Sequence, residues 1–440
     1  MEIEAFGLRS LDRFPNPGGF NQSFGPSIVI WTFCITQFAD LSLGSVGDFQ
    51  LSLQKVVGLL AYPIGLAMMD RKRVPYGLKW LAIALLVTYS IAGIRTPELA
   101  GAILSADISV LLGAIAGYAL YLALQSRDSA LQELLTAWTT LSVLTSIICI
   151  LQIFGVFPLI TVSSDALQSA DELVRAVGLK GDANFQALML VVGLVTAQHL
   201  RSRRGLWTIL IFCGIVATFS RMGLILGVAT LGCISVLRSI TTKSMREVYG
   251  KLTAAAVLLL LVTLLLSWIG PNGFTDYFTQ RADEAAPVTD LLSTGDVDTS
   301  GYKHLTSTET RAALFFASFV IARENLPYGT GPYQSQFLMA EMIGLENVSH
   351  NVYLEWIITG GIFGMMPTLI YMVAVARCLR KILSKRATSM AALLIPIWIV
   401  FAFAGLFLAL TYNSIIWLPM VLSDWAEGAV GLENRPAFNS

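Results

Sequence analysis

The chain repeatedly contains apolar stretches of the length needed to cross a lipid bilayer. The hydrocarbon core is about 30 Å thick, so a spanning helix needs roughly 20 mainly apolar residues. Because 55% of the 440 residues are hydrophobic and only 13% are charged, an ordinary soluble fold is excluded. The sequence therefore predicts an all-α polytopic membrane protein with about twelve transmembrane helices. The predicted spans are 27–43, 52–69, 78–94, 101–124, 134–156, 183–199, 205–220, 222–237, 250–269, 350–376, 388–406 and 407–424.

The distribution of basic residues predicts the orientation of these spans. If the N-terminus is cytoplasmic, twenty of the 29 Lys and Arg residues fall in cytoplasmic segments, as the positive-inside rule requires. Both termini are then cytoplasmic, and the polar loops 157–182 and 270–349 face outwards. The predicted division is a cytoplasmic tail 1–26, transmembrane helices 27–269, a large periplasmic loop 270–349, transmembrane helices 350–424 and a cytoplasmic tail 425–440.

Arg221 is predicted near the outer end of a short helical hairpin, 205–237. Both flanks of this segment are basic, so both lie in the cytoplasm and the turn Ser220–Gly223 faces outwards. Each arm has about 16 residues, or about 24 Å of helix, which is less than the hydrocarbon thickness. A guanidinium recessed at that depth is costly unless it has an anionic partner. The alternative is a turn residue whose long side chain simply reaches the interface.

The second long loop changes from acidic to apolar along its length. Thr306 and Glu309 form the pattern of a capping box, and 312–322 is apolar almost all round. We expect a helix that lies on or dips into the outer leaflet, with Arg311 in its early turns. A solvated residue of the first turn is the other interpretation of Arg311.

His350 stands where this loop meets the span 350–376. The N-terminus of a helix carries partial positive charge, which disfavours imidazolium, so we expect His350 to be a neutral base near pH 7. Glu355 lies one and a half turns deeper and is an ionisable group inside a span, which usually marks a functional cavity. A lone interfacial histidine is nevertheless more often structural, and Tyr353 also fits an aromatic belt.

Three further ionisable residues, Asp40, Lys55 and Asp107, lie in the outer halves of predicted spans. Asp40 and Lys55 could simply pair with each other, and the sequence leaves the roles of all three open. No His, Cys and carboxylate residues have metal-ligand spacing, and no phosphate-binding motif is present, so neither a metal nor another cofactor is predicted. The net charge of zero argues against nucleic acid as a partner.

Several motifs taken together resemble the bacterial O-antigen ligase/polymerase family of integral-membrane glycosyltransferases. The resemblance covers roughly 175–380, and the departures are Met222 after the first arginine and Pro332 after the glycine turn. The matching motifs are Gly181-Asp182-Ala183-Asn184-Phe185, Ser220-Arg221, Thr310-Arg311, Leu326-Pro327-Tyr328-Gly329-Thr330-Gly331 and Ser349-His350-Asn351-Val352-Tyr353-Leu354-Glu355.

The resemblance implies an enzyme of the bacterial inner membrane that takes a glycan from undecaprenyl pyrophosphate on the periplasmic face. The acceptor hydroxyl belongs to lipid A–core in a ligase, or to another carrier-linked glycan in a polymerase, and no metal or nucleotide sugar takes part. Guanidinium groups bind phosphate oxygens bidentately, and an imidazole can take the hydroxyl proton. The implied catalytic residues are His350, Arg221 and Arg311; the implied substrate-binding residues are Arg221, Arg311, Glu355, Asn351, Tyr353 and Asn184.

A transporter or flippase for a polysaccharide or lipid-linked substrate is the main alternative. It accounts for twelve spans and for ionisable groups inside them, although such proteins place their sites at the midplane on broken helices. In this chain the ionisable groups cluster on one side, which favours an extracytoplasmic enzyme. An inactive scaffold of an export assembly is a third possibility.

Overall fold

The computed structural model is mostly helical. It describes residues 20–39, 42–46, 49–67, 69, 74–157, 176–200, 203–242, 307–344, 348–384, 388–408, 410 and 413–432. The α-helices are α1 (Phe20–Phe38), α2 (Leu53–Ala67), α3 (Tyr76–Ser90), α4 (Ala100–Ser126), α5 (Ala130–Ile153), α6 (Ala183–Ala197), α7 (Arg204–Ala217), α8 (Arg221–Thr242), α9 (Ser307–Glu324), α10 (Ser335–Ile343), α11 (Val352–Gly360), α12 (Met365–Ser384), α13 (Thr388–Phe407) and α14 (Trp417–Leu432).

The helices have the lengths and composition of a multi-pass membrane protein. Among the described residues, five helical segments are long and apolar enough to cross a membrane: Tyr76–Ile94, Pro97–Ser126, Ala130–Ile153, Val352–Ser384 and Met390–Phe407. Shorter apolar helices are Phe24–Phe38, Val56–Ala67, Ala183–Ala197, Arg204–Ala217 and Arg221–Leu237. The predicted span 250–269, most of the loop 157–182 and of the tail 1–26, and half of the loop 270–349 and of the tail 425–440 lie outside the described residues. The count of twelve spans and the domain boundaries therefore stay predictions.

The centre of the bundle is α6, which is buried on nearly all sides. It packs against α5, α7, α8 and α13. Small residues allow these close approaches: a Cβ added to Gly193 of α6 would lie 2.1 Å from the Ser142 hydroxyl of α5, and one added to Gly223 of α8 would lie 2.5 Å from the Cβ of Ala187. Contacts between small residues are the usual way in which helices approach each other in membranes. The core thus holds the N-terminal ends of α6 and α8 in a fixed relation.

A β-hairpin between α1 and α2 was not predicted. Its strands β1 (Ser42–Val46) and β2 (Phe49–Ser52) pair antiparallel, with Val46 opposite Phe49. The all-α prediction is wrong for this segment because a window of about 20 residues, the length used to find spans, averages over strands of four and five residues. The spans predicted as 27–43 and 52–69 correspond to α1 and α2, which end and begin at the hairpin.

The predicted span 350–376 is not one continuous helix. A 3₁₀ segment, Gly361–Gly364, separates α11 from α12. The turn after α9 fills the break: the backbone N–H groups of Thr330 and Gly331 donate to the carbonyls of Ile358 and Thr359 at 2.8 and 3.0 Å. The N–H of Ile362 donates in return to the carbonyl of Pro327 at 2.9 Å.

Glycines explain why this turn sits so close to the broken span. Gly361 has φ +59°, and a Cβ there would lie 1.9 Å from the Pro327 carbonyl oxygen. Gly329 has φ +76°, and its Cβ would lie 2.4 Å from the Thr359 carbonyl oxygen. Only glycine adopts such conformations without strain and leaves this space. The Pro-x-Gly-x-Gly motif, 327–331, therefore acts as a clamp that attaches the loop after α9 to the helix break.

Tyr333, which follows the clamp, attaches the loop to a second helix. Its side chain hydrogen-bonds with Ser105 and Ser109 of α4, and burial raises the pKa of its phenol. The phenol consequently remains a neutral hydrogen-bonding group at physiological pH.

The last helix begins ten residues later than the predicted span 407–424. After α13 ends at Phe407, the Asn413 side chain accepts the N–H of Ile415 and caps a 3₁₀ turn, and α14 starts at Trp417. In the middle of α14, Asp424 accepts the N–H groups of Gly77 and Leu78 at 3.1 and 2.8 Å, which caps α3. Apolar residues such as Leu408 and Leu410 extended the predicted span into what is a turn.

Candidate functional site

The segment that leads into α6 is held by a buried glutamine of α5. The side-chain oxygen of Gln152 accepts the N–H groups of Val177 and Gly178 at 3.1 and 2.9 Å, and its amide donates to the Gly178 carbonyl at 3.0 Å. Asp182 then caps α6 by accepting the N–H groups of Asn184 and Phe185 at 2.7 and 2.9 Å. Both ends of this segment are therefore fixed, and Asn184 has a defined position.

Asn184 is joined to the residue before Arg221. The hydroxyl of Ser220 donates to the side-chain oxygen of Asn184 at 2.9 Å and accepts the N–H of Gly223 at 3.2 Å. Arg221 is half-buried and is the first residue of α8, so the prediction that it lies within the turn is wrong. The turn is 218–220, because the Ser220 hydroxyl caps the helix one residue earlier.

The hairpin that carries Arg221 is also less symmetric than predicted. The first arm, α7, has 14 residues, but the second arm, α8, has 22. Arg238, taken as the start of the basic flank, lies within α8, which ends at Thr242. The depth of Arg221 in a membrane stays a prediction.

His350 lies outside the helix that it was expected to open. Asn351 is the cap of α11, since its side-chain oxygen accepts the N–H groups of Tyr353 and Leu354 at 3.0 and 3.1 Å. The helix begins at Val352, and His350 precedes it with φ +50°. The prediction that His350 lies in the first turn of the helix is therefore wrong. The role of His350 as a base stays a prediction.

Two residues that adjoin the predicted site have strained backbones. His350 and Phe219, which lies two residues before Arg221, both have positive φ, +50° and +49°. For residues other than glycine this conformation is uncommon and costs about 1–3 kcal/mol, and such strain is concentrated at functional sites. The same feature therefore occurs at one predicted catalytic residue, His350, and two residues before another, Arg221; Arg203 and Tyr333 also have positive φ.

Glu355 organises the segment that carries His350. It is buried, and its Oε1 accepts the hydroxyl of Ser335 in α10 at 2.6 Å. The carboxylate also lies within hydrogen-bonding reach of Ser349, the residue before His350. The hydroxyl of Ser349 in turn donates to the Asn351 carbonyl at 3.0 Å. Glu355 thus connects α10, α11 and the histidine turn.

Tyr353 and Asn351 use their polar groups within the protein. The Tyr353 hydroxyl donates to the Ala402 carbonyl of α13 at 3.0 Å, and its ring meets the Trp356 ring edge-on at 6.2 Å. Asn351 is buried and caps α11. Both residues therefore fix α11 in place, and contact with a substrate stays a prediction.

The helix predicted around Arg311 is present as α9. Ala313, Leu314 and Ala317 pack against α10 and α11, whereas Phe315 and Phe319 are exposed on the other face. An exposed aromatic face is typical of a helix at a membrane surface. The side chain of Arg311 and the rest of the loop up to Thr306 lie outside what the structure describes.

One helix, α13, contacts both groups of predicted site residues. It packs against α6 and α8, which begin at Asn184 and Arg221, and against α11, which follows His350. Gly405 near its end allows Val352 and Tyr353 to approach, since a Cβ there would lie 2.9 and 3.0 Å from them. The fold therefore packs the helices that begin at, or next to, the predicted residues against a common helix.

The other ionisable residues of the predicted spans are only partly described. Asp107 accepts the hydroxyl of Ser90 at 2.8 Å, whereas Asp40 and the side chain of Lys55 lie outside the described part of the chain. Within the described ranges, no three His, Cys, Asp or Glu side chains come close enough together to hold a metal ion.

Sequence reasoning missed three residues that build this region: Gln152, Ser220 and Ser335. Ser220 was quoted in a motif without a role, and its place before a new helix is the usual signal of a cap. Gln152 stands out as a polar residue in an apolar run. No pattern in the sequence indicates Ser335, because its bond to Glu355 depends on how α10 folds back.

Comparison with known proteins gives one match. Residues 206–369 match the family model described as O-Antigen ligase, and this range contains Arg221, Arg311, His350 and Glu355. No curated protein and no solved structure matches the chain. The match supports a glycosyltransferase-type function in polysaccharide biosynthesis at the level of the family, and the apolar helices agree with a membrane protein. Over residues 206–369, the chain is similar to the O-antigen ligase family, as its motifs predicted.

Proposed function

We propose that the chain transfers a glycan from undecaprenyl pyrophosphate to an acceptor hydroxyl on the periplasmic face of the bacterial inner membrane. The observation that carries the proposal is the family match, because it spans Arg221, Arg311 and His350, the three residues selected for this chemistry. The fold supports it further, since Arg221 begins one helix, His350 immediately precedes the cap of another, and a common helix contacts both.

Arg221 and Arg311 hold the donor in this proposal. A lipid pyrophosphate has its tail in the bilayer and its charge at the interface, so a half-buried guanidinium at a helix start is a suitable partner. Guanidinium groups bind phosphate oxygens bidentately and stay charged at physiological pH. The bond between Ser220 and Asn184 keeps the start of α8, and with it Arg221, in one position.

The reaction is a direct displacement at the anomeric carbon of the donor sugar. The acceptor oxygen forms a bond to this carbon while the bond to the pyrophosphate oxygen breaks, and the electron pair leaves with the lipid pyrophosphate. Arg221 and Arg311 stabilise the charge that develops on this leaving group, which is worth several kcal/mol in a site shielded from water. His350 takes the proton of the acceptor hydroxyl, a contribution of about 10²–10⁴-fold. The configuration at the anomeric carbon is inverted.

Glu355 acts as a positioning residue. It holds Ser335 and lies beside Ser349, so it keeps the turn of His350 in its strained conformation. A carboxylate buried at this point needs such partners, because an unsatisfied buried charge is strongly destabilising. Loss of Glu355 therefore slows glycan transfer, because it changes the position of His350.

The helix break at Gly361–Gly364 is a feature that transporters also have. In transporters the carbonyls freed by a break coordinate the transported ion or substrate. In this chain the freed carbonyls of Ile358 and Thr359 accept the N–H groups of Thr330 and Gly331. The break therefore serves to attach the outer loop, which favours an enzyme with a structured outer loop over a transporter.

The test is a transfer assay with the purified chain in lipid nanodiscs, which hold no ion gradient. Undecaprenyl-pyrophosphate-linked glycan is the donor, and a carrier-linked glycan or lipid A–core is the acceptor. We expect transfer by the wild type and a loss of at least about 100-fold in Arg221→Ala. Arg204→Ala is the matched control, because Arg204 is the exposed first residue of the preceding helix, α7.

Two results contradict the proposal. One is the absence of transfer by wild-type protein with every acceptor that the producing bacterium makes. The other is full activity of Arg221→Ala when Arg204→Ala is also fully active. Deletion of the gene then separates the two acceptor classes: loss of all long chains from lipid A indicates a ligase, and single repeats on lipid A indicate a polymerase.

A further inference from the structure

A small cavity lies among α3, α11, α12 and α13, next to the helix that follows His350. Its volume is about 40 Å³, and buried apolar residues of three helices, Leu81, Val352 and Phe401, form part of its wall. One buried water molecule needs roughly 10–15 Å³ of such volume. The cavity therefore has room for water, and whether water binds depends on the polar groups in its wall.

Three aromatic side chains bring polar groups to this wall: Tyr353 and Trp356 of α11 and Tyr371 of α12. Nε1 of Trp356 and the hydroxyl oxygen of Tyr371 are enclosed and have no hydrogen-bond partner among the described residues. The phenol of Tyr371 lies close enough to that of Tyr353 for electrostatic interaction. Tyr353 donates its proton to the Ala402 carbonyl, so its oxygen remains as an acceptor.

Neither Tyr89 of α3 nor bulk solvent supplies the acceptor that Trp356 needs. The phenol of Tyr89 lies beside the Trp356 indole, but the two form no hydrogen bond of regular geometry. Trp356 is only 5% exposed. An enclosed N–H group without an acceptor is strongly destabilising, and ordered water usually satisfies such groups where the protein does not.

We propose that the cavity binds ordered water, which accepts the N–H of Trp356 and bridges the hydroxyls of Tyr371 and Tyr353. Water suits this set because the indole only donates, whereas the phenols also accept. A cation could not accept from the indole, and none of the described lining residues is cationic, as an anion would require. A buried water typically makes about three hydrogen bonds, and three polar side chains line this cavity. The water joins α11 to α12 and so fixes the helix that follows His350.

The test is hydroxyl-radical footprinting of the full-length protein in lipid nanodiscs, with neither donor nor acceptor present. X-ray pulses split water into hydroxyl radicals, which oxidise the side chains beside ordered water, and mass spectrometry gives the oxidation rate of each residue. We expect Trp356 to be oxidised at least about tenfold faster than Trp398. Trp398 is the matched control, because it is 6% exposed and its Nε1 donates to the Ser423 hydroxyl at 2.9 Å.

Tyr371→Phe removes one partner of the water and leaves the ring in place. We expect the oxidation rate of Trp356 to fall about fivefold and the equilibrium constant of unfolding to rise by about the same factor, since a bridging hydrogen bond is lost. Tyr121→Phe is the control variant, because the Tyr121 hydroxyl accepts the Gln125 amide within α4 and does not line the cavity. It should leave the oxidation rate of Trp356 unchanged.

Three results overturn the assignment: oxidation of Trp356 at the rate of Trp398, an equal fall of this rate in Tyr121→Phe, or stability of Tyr371→Phe equal to or above that of the wild type. The last result is expected for a dry cavity, in which the Tyr371 hydroxyl has no partner to lose. Because no substrate is present, each of these results holds whether or not the chain transfers glycan.

Discussion

The hydroxyl of Ser220 lies 2.9 Å from the side-chain oxygen of Asn184, which joins the first turn of α6 to the residue before Arg221. The same hydroxyl caps α8. The Ser220 hydroxyl oxygen therefore fixes the start of α8 and also joins it to the start of α6. This hydrogen bond links the two short motifs that contain Asn184 and Ser220-Arg221.

Replacement of Ser220 by alanine is expected to lower the stability and the transfer rate together. The loss of the cap and of the bond to Asn184 should reduce the free energy of unfolding by about 1–2 kcal/mol. Transfer should fall about tenfold, since a misplaced binding group has effects of this size or larger. Thermal unfolding and initial rates measure the two effects. Ser235→Ala is the control, because the Ser235 hydroxyl bonds only the Leu231 carbonyl within the same helix. Equal behaviour of the two variants argues against a special role for Ser220.

Gln152 is expected to act on donor affinity although it belongs to a neighbouring helix. Gln152→Leu removes three hydrogen bonds to Val177 and Gly178, and the segment before Asn184 loses its support. We expect KM for the donor to rise about tenfold, with a smaller effect on kcat. Gln198→Leu is the control, because it removes a hydrogen bond to the Thr208 hydroxyl at the opposite end of α6. A rise in KM of the same size in both variants contradicts this assignment.

The clamp between the outer loop and the helix break is expected to be sensitive to a single methyl group. Gly361→Ala places a Cβ against the Pro327 carbonyl at a positive φ, and we expect a loss of more than about 2 kcal/mol in stability. Gly344→Ala is the matched control, since Gly344 has φ +70° with open space around it and only the conformational cost of about 1 kcal/mol applies. Chemical denaturation of the two variants in detergent provides the comparison. Similar losses in both contradict the proposed clamp.

Glu355 is expected to act through hydrogen bonds and not through its charge. Glu355→Gln keeps an acceptor for the Ser335 hydroxyl, so the pH profile of kcat/KM should stay in place with a modest loss of rate. Glu355→Leu leaves Ser335 and the Ser349 turn without a partner and should abolish most of the transfer. A shift of the whole pH profile in Glu355→Gln indicates that the carboxylate tunes His350 electrostatically, which contradicts a purely positioning role.

Chelation of metal ions is expected to leave the transfer rate unchanged. In the proposed mechanism, guanidinium groups neutralise the charge of the pyrophosphate, which is the function that Mg²⁺ has in many enzymes acting on phosphates. The measurement is the initial transfer rate with EDTA present, compared with the same protein after addition of excess Mg²⁺. A large loss with EDTA that Mg²⁺ restores points to a metal bound by the acidic part of the loop.

The sequence predicted the parts of the fold that depend on hydropathy. Apolar stretches of sufficient length predicted most of the helices, and the motifs predicted a family resemblance over roughly 175–380 that the family model supports over 206–369. The start of α8 at Arg221 and the start of α11 at Val352 were misplaced because a single capping side chain, Ser220 or Asn351, decides each of them. The hydropathy of a sequence does not depend on which side chain caps a helix, so it cannot locate the first residue of α8 or α11.

The remaining differences arise where backbone hydrogen bonds leave their regular pattern. The break at Gly361 is stabilised by Thr330 and Gly331, which lie about thirty residues earlier in the chain. The bonds of Gln152 and the bond between Ser335 and Glu355 likewise join different helices. Pairings of this kind depend on tertiary structure, so only the residue types, and not their partners, are visible in the sequence.

In the proposed mechanism, His350 takes the proton of the acceptor hydroxyl while other residues hold the donor. The most direct measurement compares donor binding and single-turnover transfer in His350→Ala, with His199→Ala as the control; the ring of His199 bonds the Val195 carbonyl near the end of α6 opposite Asn184. If His350 is the base, His350→Ala binds undecaprenyl-pyrophosphate-linked glycan with wild-type affinity and transfers it at least about 100-fold more slowly than the wild type. Transfer by His350→Ala at the rate of His199→Ala contradicts the account.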